Sequence, residues 1–598
     1  MDKVKFSGEI LETAQTVTDD CMGLEQAFCV SECPMNTDAI GYVNLIAEGK
    51  NEEAIDLIRE KLFLPNTLGR ICAHPCEENC RRNTEYNQPI SIAALKRYAA
   101  EKADDEKKWD VSVKDNTGKK VVIVGAGPAG AQSAIDLRRE GHAVTIIEKL
   151  NVLGGMMRVG IPEYRLPRNV IDFEYSYLTK LGIKIKLGVE VGVDVSFEEL
   201  RNDYDIVILA HGAHIGSIIP IPGHKSKGVV SAQEYLREIS LTRKSTIAGK
   251  RIAVVGGGDV AMDCARSSWR VGAETVYQCS LENMDNLPAS KEEIEESHEE
   301  GVIFNAGYGP LEIIEENGKV KGLVIQKVAS IFDAEGNFNP KYEGEKITLD
   351  VDTVVFATGQ LVEDITKGTL PRGRAGRYTV DSKTLETSIE GVFVAGDAAG
   401  TNIVIEAMSH GRKAALSIKN LLNAKPLEYG RDFEKEGSYK TKLDIPLPEG
   451  TENLPRLSGN FREPEIRKRD FLECDTGFTD EQALKEASRC LECECKFCMQ
   501  ECVMMNDFGD CPKDILDKLV IDGEMDPLLA YSCNGCDNCT IVCPKELPLK
   551  KIFVGSRKDF VAANNGKSPM PGHKAINMHQ LLGFSWLFTT KRKKGGRK

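Results

Sequence analysis

The middle of the chain alternates short apolar runs with glycine turns and longer amphipathic stretches. Residues 119–124 (KKVVIV) form an apolar run of strand length, a helical stretch follows to about residue 140, and a second run covers 143–147. Buried runs that alternate with helices of this length indicate βαβ units and a parallel sheet. A helical stretch is also predicted over about 39–61.

The turn after the first run carries the glycines of a dinucleotide site. It reads GAGPAG over 125–130, and Glu148 stands 18 residues after Gly130. Glycines let the backbone approach a pyrophosphate at a positive helix N-terminus, and an acid about 20 residues on accepts hydrogen bonds from a ribose. With both flanking strands and the acid present, the predicted cofactor contacts are Gly125, Gly127, Ala129, Gly130 and Glu148.

The same order of elements returns at 251–279, with GGGDVA over 256–261. Counting 18 residues from Ala261 reaches Cys279, beside Gln278, where neither an acid nor an arginine pair stands. Since a 2′-phosphate requires arginine or lysine nearby, NAD(H) is favoured over NADP(H), and Glu282 is an acid able to turn toward the ribose. A turn that serves only helix packing is the alternative. The predicted contacts are Gly256, Gly258, Asp259, Val260 and Gln278.

A third apolar run, 391–397 (GVFVAGD), ends in Asp397 before a helical stretch over 404–422. Such an aspartate is suited to a flavin ribityl chain, and a helix N-terminus stabilises negative charge on the reduced ring. A buried strand followed by a simple turn is the alternative.

Composition excludes several classes of protein. The 598 residues are 41% hydrophobic and 28% charged with a net charge of −14, which argues against disorder and against a nucleic-acid-binding protein. No apolar run reaches the ~20 residues of a membrane span, and the first ten residues lack the apolar core of a secretory signal. We therefore expect a cytoplasmic protein with no membrane span and no nucleic-acid partner.

Most of the 19 cysteines lie in two patches near the ends of the chain. Clustered cysteines in a cytosolic protein indicate metal or redox chemistry, because disulfides are rare there. Three cysteines lie outside the patches: Cys264, Cys279 and Cys474. Cys264 falls in a predicted helix, where we expect it to be a buried packing residue. The predicted metal ligands are Cys21, Cys29, Cys33, Cys72, Cys76, Cys80, Cys490, Cys493, Cys495, Cys498, Cys502, Cys511, Cys533, Cys536, Cys539 and Cys543.

The C-terminal patch contains the spacing C-x2-C-x2-C-x3-C-P over 533–544. This is the bacterial ferredoxin spacing, in which three thiolates bind one [4Fe-4S] cluster and the fourth usually ligates a second cluster. Two clusters need eight thiolates, and the ten in this patch leave two unassigned. The six N-terminal cysteines are expected to form one cluster with two spare thiols, or two clusters with a non-cysteine ligand or an open iron. Structural zinc is the alternative in both patches.

Together these motifs resemble the small subunit of glutamate synthase and its relatives, which include the NADPH-binding subunit of bifurcating transhydrogenase and the N-terminal half of dihydropyrimidine dehydrogenase. The resemblance covers about residues 20–425 and rests on GRICAHPCEENC (69–80), VVIVGAGPAGAQSAIDL (121–137), LGGMMRVGIPEYRLP (153–167), RIAVVGGGDVAMDCAR (251–266), DTVVFATGQ (352–360) and GVFVAGDAAGTNIVIEAMSHGRKAA (391–415). It implies FAD in the first site, a nicotinamide cofactor in the second, and N-terminal iron–sulfur clusters. It also implies cofactor contacts at Gly155, Arg165, Gly359, Gly396, Asp397 and the helix start at 403–407, including Val404.

The sequence departs from the family pattern at several positions. Leu24 stands where the first cluster signature has its second cysteine, and Lys96 aligns with a glutamine that ligates a cluster in dihydropyrimidine dehydrogenase. Gln278 and Cys279 replace the arginine pair of NADPH-using members, and His211 interrupts the first ATG-like stretch. The C-terminal module resembles the double-cluster modules of heterodisulfide reductase or the succinate dehydrogenase iron–sulfur subunit. Residues 478–493 resemble the lead-in to the family's N-terminal clusters.

The predicted fold is α/β, with two Rossmann-like domains as in glutathione and thioredoxin reductases. The domains are a helical [4Fe-4S] domain (1–115), a discontinuous FAD domain (116–240 and 352–425), an NAD(P)H domain (241–351), a linker (426–480), a ferredoxin-like or helical double-cluster domain (481–555) and a tail (556–598). A returning strand near 352–358 is expected in the FAD domain. The central block lacks the C-x2-C disulfide of thioredoxin reductases.

The predicted function is that of a flavoprotein oxidoreductase subunit for electron transfer. It passes hydride between NAD(H) and FAD and single electrons between FAD and clusters, with no acid–base residue assigned. The expected partners are other oxidoreductase subunits, such as formate dehydrogenase, hydrogenase or another flavoprotein, or ferredoxin. The alternatives are a component of a bifurcating transhydrogenase or dehydrogenase, and an electron-wiring scaffold without nicotinamide binding. The basic tail (591–598) either docks on an acidic partner or is a solvated end.

Overall fold

The computed structural model describes residues 4–21, 28–429, 450–491, 493, 497–543 and 546–583. Leu24, Cys495, residues 430–449 of the predicted linker and the basic tail therefore lie outside the described residues. Within those ranges, no helix combines the length and the apolar character needed to cross a bilayer.

Short helices make up the N-terminal region, as the sequence predicted. The stretch predicted as one helix over 39–61 is two helices, because the chain turns at Gly49, whose φ is +76°. Asp38 caps the first of the two by accepting a hydrogen bond from the Gly41 amide at 2.8 Å. The helices are α1 (Gly8–Asp20), α2 (Phe28–Ser31), α3 (Ala39–Ala47), α4 (Asn51–Arg59), α5 (Pro65–Ile71), α6 (Pro75–Glu78), α7 (Arg81–Tyr86) and α8 (Ile92–Ala103).

The central region alternates strands and helices. In chain order its elements are β1 (Lys120–Val124), α9 (Pro128–Arg139), β2 (Ala143–Glu148), α10 (Met156–Val159), α11 (Arg168–Lys180), β3 (Lys184–Leu187), α12 (Phe197–Asp203), β4 (Ile206–Leu209), β5 (Ile215–Gly216), β6 (Val229–Ser231), α13 (Ala232–Thr242), β7 (Arg251–Val255), α14 (Asp259–Arg270), β8 (Thr275–Ser280), α15 (Lys291–Glu299), β9 (Ile303–Ala306), β10 (Tyr308–Glu316), β11 (Lys319–Phe332), β12 (Phe338–Leu349), β13 (Thr353–Phe356), β14 (Gln360–Leu361), β15 (Val392–Val394) and α16 (Val404–Leu422).

Five parallel strands form the first sheet, in the order β15-β4-β1-β2-β3. Val121 of β1 lies opposite Val144 on one side and Ile206 on the other. Strand β4 is buried over its whole length, as is typical of parallel strands covered on both faces. We call β1–β4, β15 and their helices the flavin unit.

The second sheet is also parallel, in the order β6-β13-β7-β8-β9. Val354 of β13 pairs with Val229 of β6 and with Ala253 of β7. The predicted boundaries were therefore wrong here, because β6 and β13 had been assigned to the FAD domain. The nicotinamide unit spans β6 to β13, and the chain returns to the first sheet only at β15.

An antiparallel sheet of β10, β11 and β12 is inserted between the fourth and fifth strands of the nicotinamide unit. Sequence analysis did not anticipate this sheet. Its β11 has 14 residues, and the far ends of β11 and β12 are exposed, with Phe332 and Phe338 57% and 65% accessible. An edge-to-face contact at 6.3 Å joins these two rings.

The C-terminal elements are helical. They are α17 (Pro464–Arg467), α18 (Asp480–Ala487), α19 (Phe497–Glu501), α20 (Val503–Asn506), α21 (Pro512–Asp522), α22 (Pro527–Ser532), α23 (Asn538–Ile541), α24 (Leu549–Ala563) and α25 (Pro571–Gly583). Helix α18 begins with a capping box formed by Thr479 and Gln482.

The two ends of the chain exchange segments, which the predicted domain boundaries did not allow. Helix α1 packs on α21 and α24 of the C-terminal module, where Ile10, Ala14 and Val17 join one apolar core with Leu516 and Ile552. In return, residues 450–490, which we call the strap, run over the N-terminal helices.

Hydrogen bonds between buried groups hold the strap in place. Glu486 accepts hydrogen bonds from the amides of Ser91 at 2.9 Å and Leu457 at 3.0 Å. Arg456 pairs with Glu77 at 2.5 Å. The described part of the predicted linker is therefore a packed element, because its polar groups are satisfied by the N-terminal domain.

A buried charge cluster joins the nicotinamide unit to the strap. The carboxylate of Glu300 accepts hydrogen bonds from Arg266 at 2.9 Å, Arg270 at 2.8 Å and Arg467 at 3.1 Å. Arg270 also lies over the ring of Tyr164, 3.6 Å from its centroid. Glu300 is fully buried, and burial raises the pKa of its carboxyl less than the arginines lower it, to about 2.

Replacing Glu300 with Gln is expected to reduce the free energy of unfolding by about 3 kcal/mol at pH 7, since it leaves buried arginines unpaired. The pKa of Glu300 lies below its unfolded value of 4.5. The stabilisation is therefore complete above pH 4.5 and is lost as the pH falls toward 2. Urea unfolding followed by tryptophan fluorescence, to which Trp269 beside this cluster contributes, measures the difference. The exposed Glu295→Gln on the same helix is the control, and an equal loss in both variants would contradict the prediction.

Candidate functional site

The first glycine turn lies at the end of β1 and leaves no room for a side chain at Gly125 or Gly130. A Cβ on Gly125 would lie 2.4 Å from the carbonyl oxygen of Ala210, and one on Gly130 would lie 2.1 Å from that of Gly125. Gly127 and Gly155 face each other, since a Cβ on Gly155 would lie 2.8 Å from the Cα of Gly127. These close approaches leave backbone amides at the start of α9 free to face a ligand.

The carboxylate of Glu148 fixes the conformation of this turn through hydrogen bonds to the backbone. It accepts hydrogen bonds from the amides of Ala126 and Leu150, both at 2.8 Å. The side chain is buried, and this burial raises the pKa of its carboxyl although the two amides lower it. Glu148 thus shapes the glycine turn and lines the neighbouring cavity.

The flavin unit and the nicotinamide unit share one cavity of about 1040 Å³. The predicted residues that line it are Gly125, Gly127, Ala129, Glu148, Gly155, Val260, Gly396, Asp397 and Val404. A second cavity of about 1190 Å³ continues from the same glycine turn and also contains Glu148. The two cavities form one elongated cleft, with the glycine turn between them. An elongated dinucleotide fits a cleft of this form.

Helix α16 begins at this cavity, as the sequence predicted. Asp397 precedes the helix and accepts a hydrogen bond from the Thr401 hydroxyl at 2.9 Å, and burial raises the pKa of its carboxyl. The cavity is therefore bordered by the N-termini of both α9 and α16, which favour a ligand that carries negative charge.

Two of the cofactor residues implied by the family resemblance lie away from the cavity lining. Arg165 donates to Asp263 at 2.9 Å and pairs with Glu293 at 2.7 Å, so it joins the flavin unit to the nicotinamide unit. The carbonyl oxygen of Gly359 accepts a hydrogen bond from the Ser217 amide at 3.1 Å, although its neighbour Gln360 lines the cavity.

His211, which interrupts the ATG-like stretch, lies in both cavities. Its Nε2 is 3.2 Å from the carbonyl oxygen of Glu363, while its Nδ1 has no hydrogen-bond partner in the described part of the chain. Burial lowers the pKa of the imidazole to about 4. His211 is therefore a neutral ring beside the cofactor cavity at pH 7, a position that its sequence context did not explain.

The second glycine turn has the same form as the first. A Cβ on Gly256 would lie 2.4 Å from the carbonyl oxygen of Ala357, whereas Gly258 faces open space. Asp259 starts α14 and accepts a hydrogen bond from the Ser290 amide at 2.8 Å, which ties α14 to the start of α15. Val260 borders the shared cavity.

The pairing of β7 with β8 identifies the residue of the second unit that is equivalent to Glu148. In the first unit Val124 lies opposite Ile147, and in the second Val255 lies opposite Cys279. Ser280 is therefore the equivalent of Glu148, because the connection from α14 to β8 is one residue longer than that from α9 to β2. The count that placed Cys279 there was wrong by one residue.

Gln278 is fully buried beneath the glycine turn. Its Nε2 donates to the carbonyl oxygen of Gly256 at 2.7 Å, while its Oε1 has no partner among the described residues. The carboxylate of Glu282 lies beside this turn, since a Cβ on Gly257 would lie 3.1 Å from its Oε2. Glu282 therefore lies where a bound nucleotide would approach the turn.

Four thiols line one small cavity beside the N-terminal helices. Cys29 and Cys80 come from the N-terminal region, Cys490 is the last residue of the strap, and Cys493 lies just beyond it. Burial raises the pKa of Cys493, although Arg81, which lies at the same cavity, lowers it.

A second group contains Cys33, Cys72 and Cys76. Burial and the Glu77 carboxylate raise the pKa of Cys76, Lys96 lowers it, and Cys72 and Cys33 raise it further. Lys96 is itself buried. It therefore occupies the neighbourhood in which the family resemblance places a fourth ligand.

The remaining thiols lie in the C-terminal module. A hydrogen bond with Cys511 and burial raise the pKa of Cys21, and Cys498 raises it further. Burial raises the pKa of Cys539, which Cys502 and Cys533 also raise. Cys536 is exposed and Cys543 is half-buried. Cys21 is thus a neighbour of the C-terminal cysteines and not of the N-terminal patch to which the sequence assigned it.

The described thiols are not grouped as the ligands of one zinc ion would be. Two thiolates on one tetrahedral zinc lie about 3.8 Å apart, given Zn–S distances of about 2.3 Å. Over the described ranges, the only group of three or more ligand atoms within 4.8 Å of one another is Glu296, Glu300 and Cys474, and arginines already bind that group.

Three families match successive parts of the chain. Residues 4–108 match dihydropyrimidine dehydrogenase domain II with its 4Fe-4S cluster, residues 119–415 match pyridine nucleotide-disulphide oxidoreductase, and residues 479–548 match a 4Fe-4S dicluster domain. This order agrees with cluster modules on both sides of a central flavin and nicotinamide region.

Curated relatives share most of this length. The beta subunit of NADP(+)-dependent formate dehydrogenase from Moorella thermoacetica is 36% identical over 78% of this chain and 70% of its own. The beta subunit of NADPH-Fe(3+) oxidoreductase from Geobacter sulfurreducens is 33% identical over 78% and 75%. The glutamate synthase [NADPH] small chain of Escherichia coli is 32% identical over 68% of this chain and 91% of its own. The chain therefore belongs to the family of flavin- and NAD(P)-dependent iron–sulfur oxidoreductases that contains the glutamate synthase small chain.

Proposed function

We propose that the chain converts two-electron into one-electron transfer inside a larger oxidoreductase. It passes hydride between NAD(H) and FAD, and single electrons between FAD and [4Fe-4S] clusters, toward a partner subunit or ferredoxin. The shared cavity is the observation that carries this proposal, because Val260 of the nicotinamide unit lines it together with Gly127 and Asp397 of the flavin unit. Nucleotides on both glycine turns would bring their reactive rings together there.

The residues of the chain position the cofactors. A bound flavin exchanges a hydride with a nicotinamide and releases electrons singly. Glu148 fixes the first glycine turn through two backbone amides, and the N-terminus of α16 offers partial positive charge to the flavin end of the cavity. Neutral His211 adds a polar edge without a charge. Hydride transfer needs no acid or base, and none is assigned.

Glu282 supports a preference for NAD(H) over NADP(H). Its carboxylate lies beside Gly257 of the second glycine turn, where it would accept hydrogen bonds from a ribose 2′-hydroxyl and repel a 2′-phosphate. Gln278 and Cys279 add no positive charge. The named relatives use NADP(H), so this preference would separate the chain from them.

Partner subunits follow from the relatives, two of which are beta subunits of larger enzymes. In the C-terminal module the Cys536 thiol is exposed. A cluster bound there would lie near the surface, which suits electron exchange with a partner.

Anaerobic titration with NADH and separately with NADPH tests the proposal. NADH is expected to bleach the flavin absorbance while the EPR signals of reduced clusters grow. Reduction by NADPH alone would overturn the NAD(H) preference. Reduction by dithionite but by neither nucleotide would overturn the hydride-transfer proposal and favour an electron-wiring scaffold.

Glu148→Ala is expected to weaken FAD binding at least tenfold, because two buried amides lose their acceptor and the glycine turn loosens. Flavin absorbance per chain after gel filtration measures retention. Glu198→Ala, on the surface of the same unit, should retain FAD as the parent does. Equal retention in both variants would remove Glu148 from the site.

Glu282→Gln is expected to raise the KM for NADH about tenfold, through loss of a charged hydrogen-bond acceptor. The KM for NADPH should stay the same or fall, since the repulsion of the 2′-phosphate is removed. Steady-state reduction of an artificial acceptor measures both constants, with Glu316→Gln as the surface control. Parallel changes for the two nucleotides would show that Glu282 does not read the ribose.

A further inference from the structure

The first cluster signature of the family occurs twice in this chain, once incomplete. Near the N-terminus the spacing is Cys21-x2-Leu24-x4-Cys29-x3-Cys33, which lacks one thiol. Near the C-terminus the same spacing is complete, with cysteines at 490, 493, 498 and 502. Cysteines from either signature are therefore available to the N-terminal site, and the sequence alone does not show which of them bind there.

The structure splits both signatures between the two modules. Cys490 and Cys493 line a cavity with Cys29 and Cys80. Beyond Cys493 the chain enters the other module, where Cys498 lies in the same apolar core as Cys21. The first half of the C-terminal signature thus meets Cys29, the third position of the N-terminal one.

A buried arginine fixes the point at which the strap reaches this cavity. Arg489, directly before Cys490, is 3% exposed. Its guanidinium donates to the carbonyl oxygens of Gln88 at 2.8 Å, Pro89 at 3.2 Å and Leu454 at 3.0 Å. Arg82, which lines the cavity, donates from Nε to the carbonyl oxygen of Arg489. These four hydrogen bonds, three from its guanidinium and one to its carbonyl oxygen, fix Arg489 and so hold the next thiol beside the N-terminal helices.

We propose that one [4Fe-4S] cluster is bound by Cys29, Cys80, Cys490 and Cys493, so that each end of the chain supplies two ligands. Cys21 then belongs to the C-terminal set. The proposal deepens the proposed function, on which it rests, by naming the ligands of one centre in the electron path. The guanidinium groups of Arg81 and Arg82 at the same cavity would offset the negative charge of four thiolates.

This assignment also places a cluster close to the thiols of the C-terminal module. Cys493 and Cys498 are five residues apart but lie in different thiol groups. Five extended residues span at most about 18 Å. The cluster bound by Cys490 and Cys493 would therefore lie within about 18 Å of the C-terminal thiol group that contains Cys498.

Iron content of paired variants tests the assignment in the full chain after anaerobic reconstitution. Cys490→Ser with Cys493→Ser is expected to lose one cluster, about four irons per chain, and Cys29→Ser with Cys80→Ser should lose the same cluster. Combining all four changes should then cost no further iron. Losses that add to about eight irons would place the two pairs in different clusters and overturn the proposal.

The controls separate this proposal from the function it rests on. Cys264→Ala, at a buried thiol outside both patches, should keep all its iron, and FAD content reports folding in each variant. Additive iron loss with intact reduction of FAD by NADH would overturn the ligand assignment alone. A reconstituted parent chain that holds FAD but no iron would overturn the proposed function itself.

A second measurement needs no variant. In the parent chain stripped of iron by a chelator, dibromobimane bridges neighbouring thiols, and peptide mass spectrometry identifies the pairs. Bridges between Cys29 or Cys80 and the peptide that begins at Cys490 are expected. Bridges from that peptide only to other C-terminal cysteines would overturn the proposal.

Discussion

The close contact of helices α9 and α16 is the interaction on which the flavin site depends. A Cβ on Gly411 would lie 2.4 Å from the carbonyl oxygen of Ala129, so glycine is needed for the two helices to touch. The Ser133 hydroxyl lies at the same crossing, 2.9 Å from the carbonyl oxygen of Ala129 and 3.0 Å from that of Gly411. Because the helices cross so closely near their first turns, both N-termini border one cavity although the nicotinamide unit separates them in sequence.

Local signals in the sequence indicated several residues that the structure brings to one cavity. Gly125, Gly127, Glu148 and Asp397 each belong to a motif of a few adjacent residues, and all four line it. Their contact with a cofactor stays a prediction. What the sequence did not predict depends on pairing between distant segments. Nothing within β13 indicates which sheet it joins, and one extra residue before β8 moved the expected acid position from Cys279 to Ser280. Gln278, whose neighbours in sequence suggested a nucleotide contact, is buried under the turn instead.

The cysteines show the same limit more clearly. Counting thiols within each patch assumed that neighbours in sequence share a site, and it left thiols unassigned at both ends. Exchange of α1 and the strap between the modules accounts for the mismatch, since Cys21 lies with the C-terminal thiols and Cys490 with the N-terminal ones. One signal for this exchange was present. Residues 478–493 resemble the lead-in to N-terminal clusters, and α18 in that segment packs on α3 and α8.

The packing of α1 sets an order for the folding of the molecule. Helix α1 (Gly8–Asp20) is synthesised before both of its partners, α21 (Pro512–Asp522) and α24 (Leu549–Ala563). Its apolar face, with Ile10 and Val17, has no cover until those helices have been made, whereas the flavin and nicotinamide units contain all their strands earlier. Chains that end before α21 therefore expose an uncovered helix, which makes them targets for the cell's proteases and chaperones.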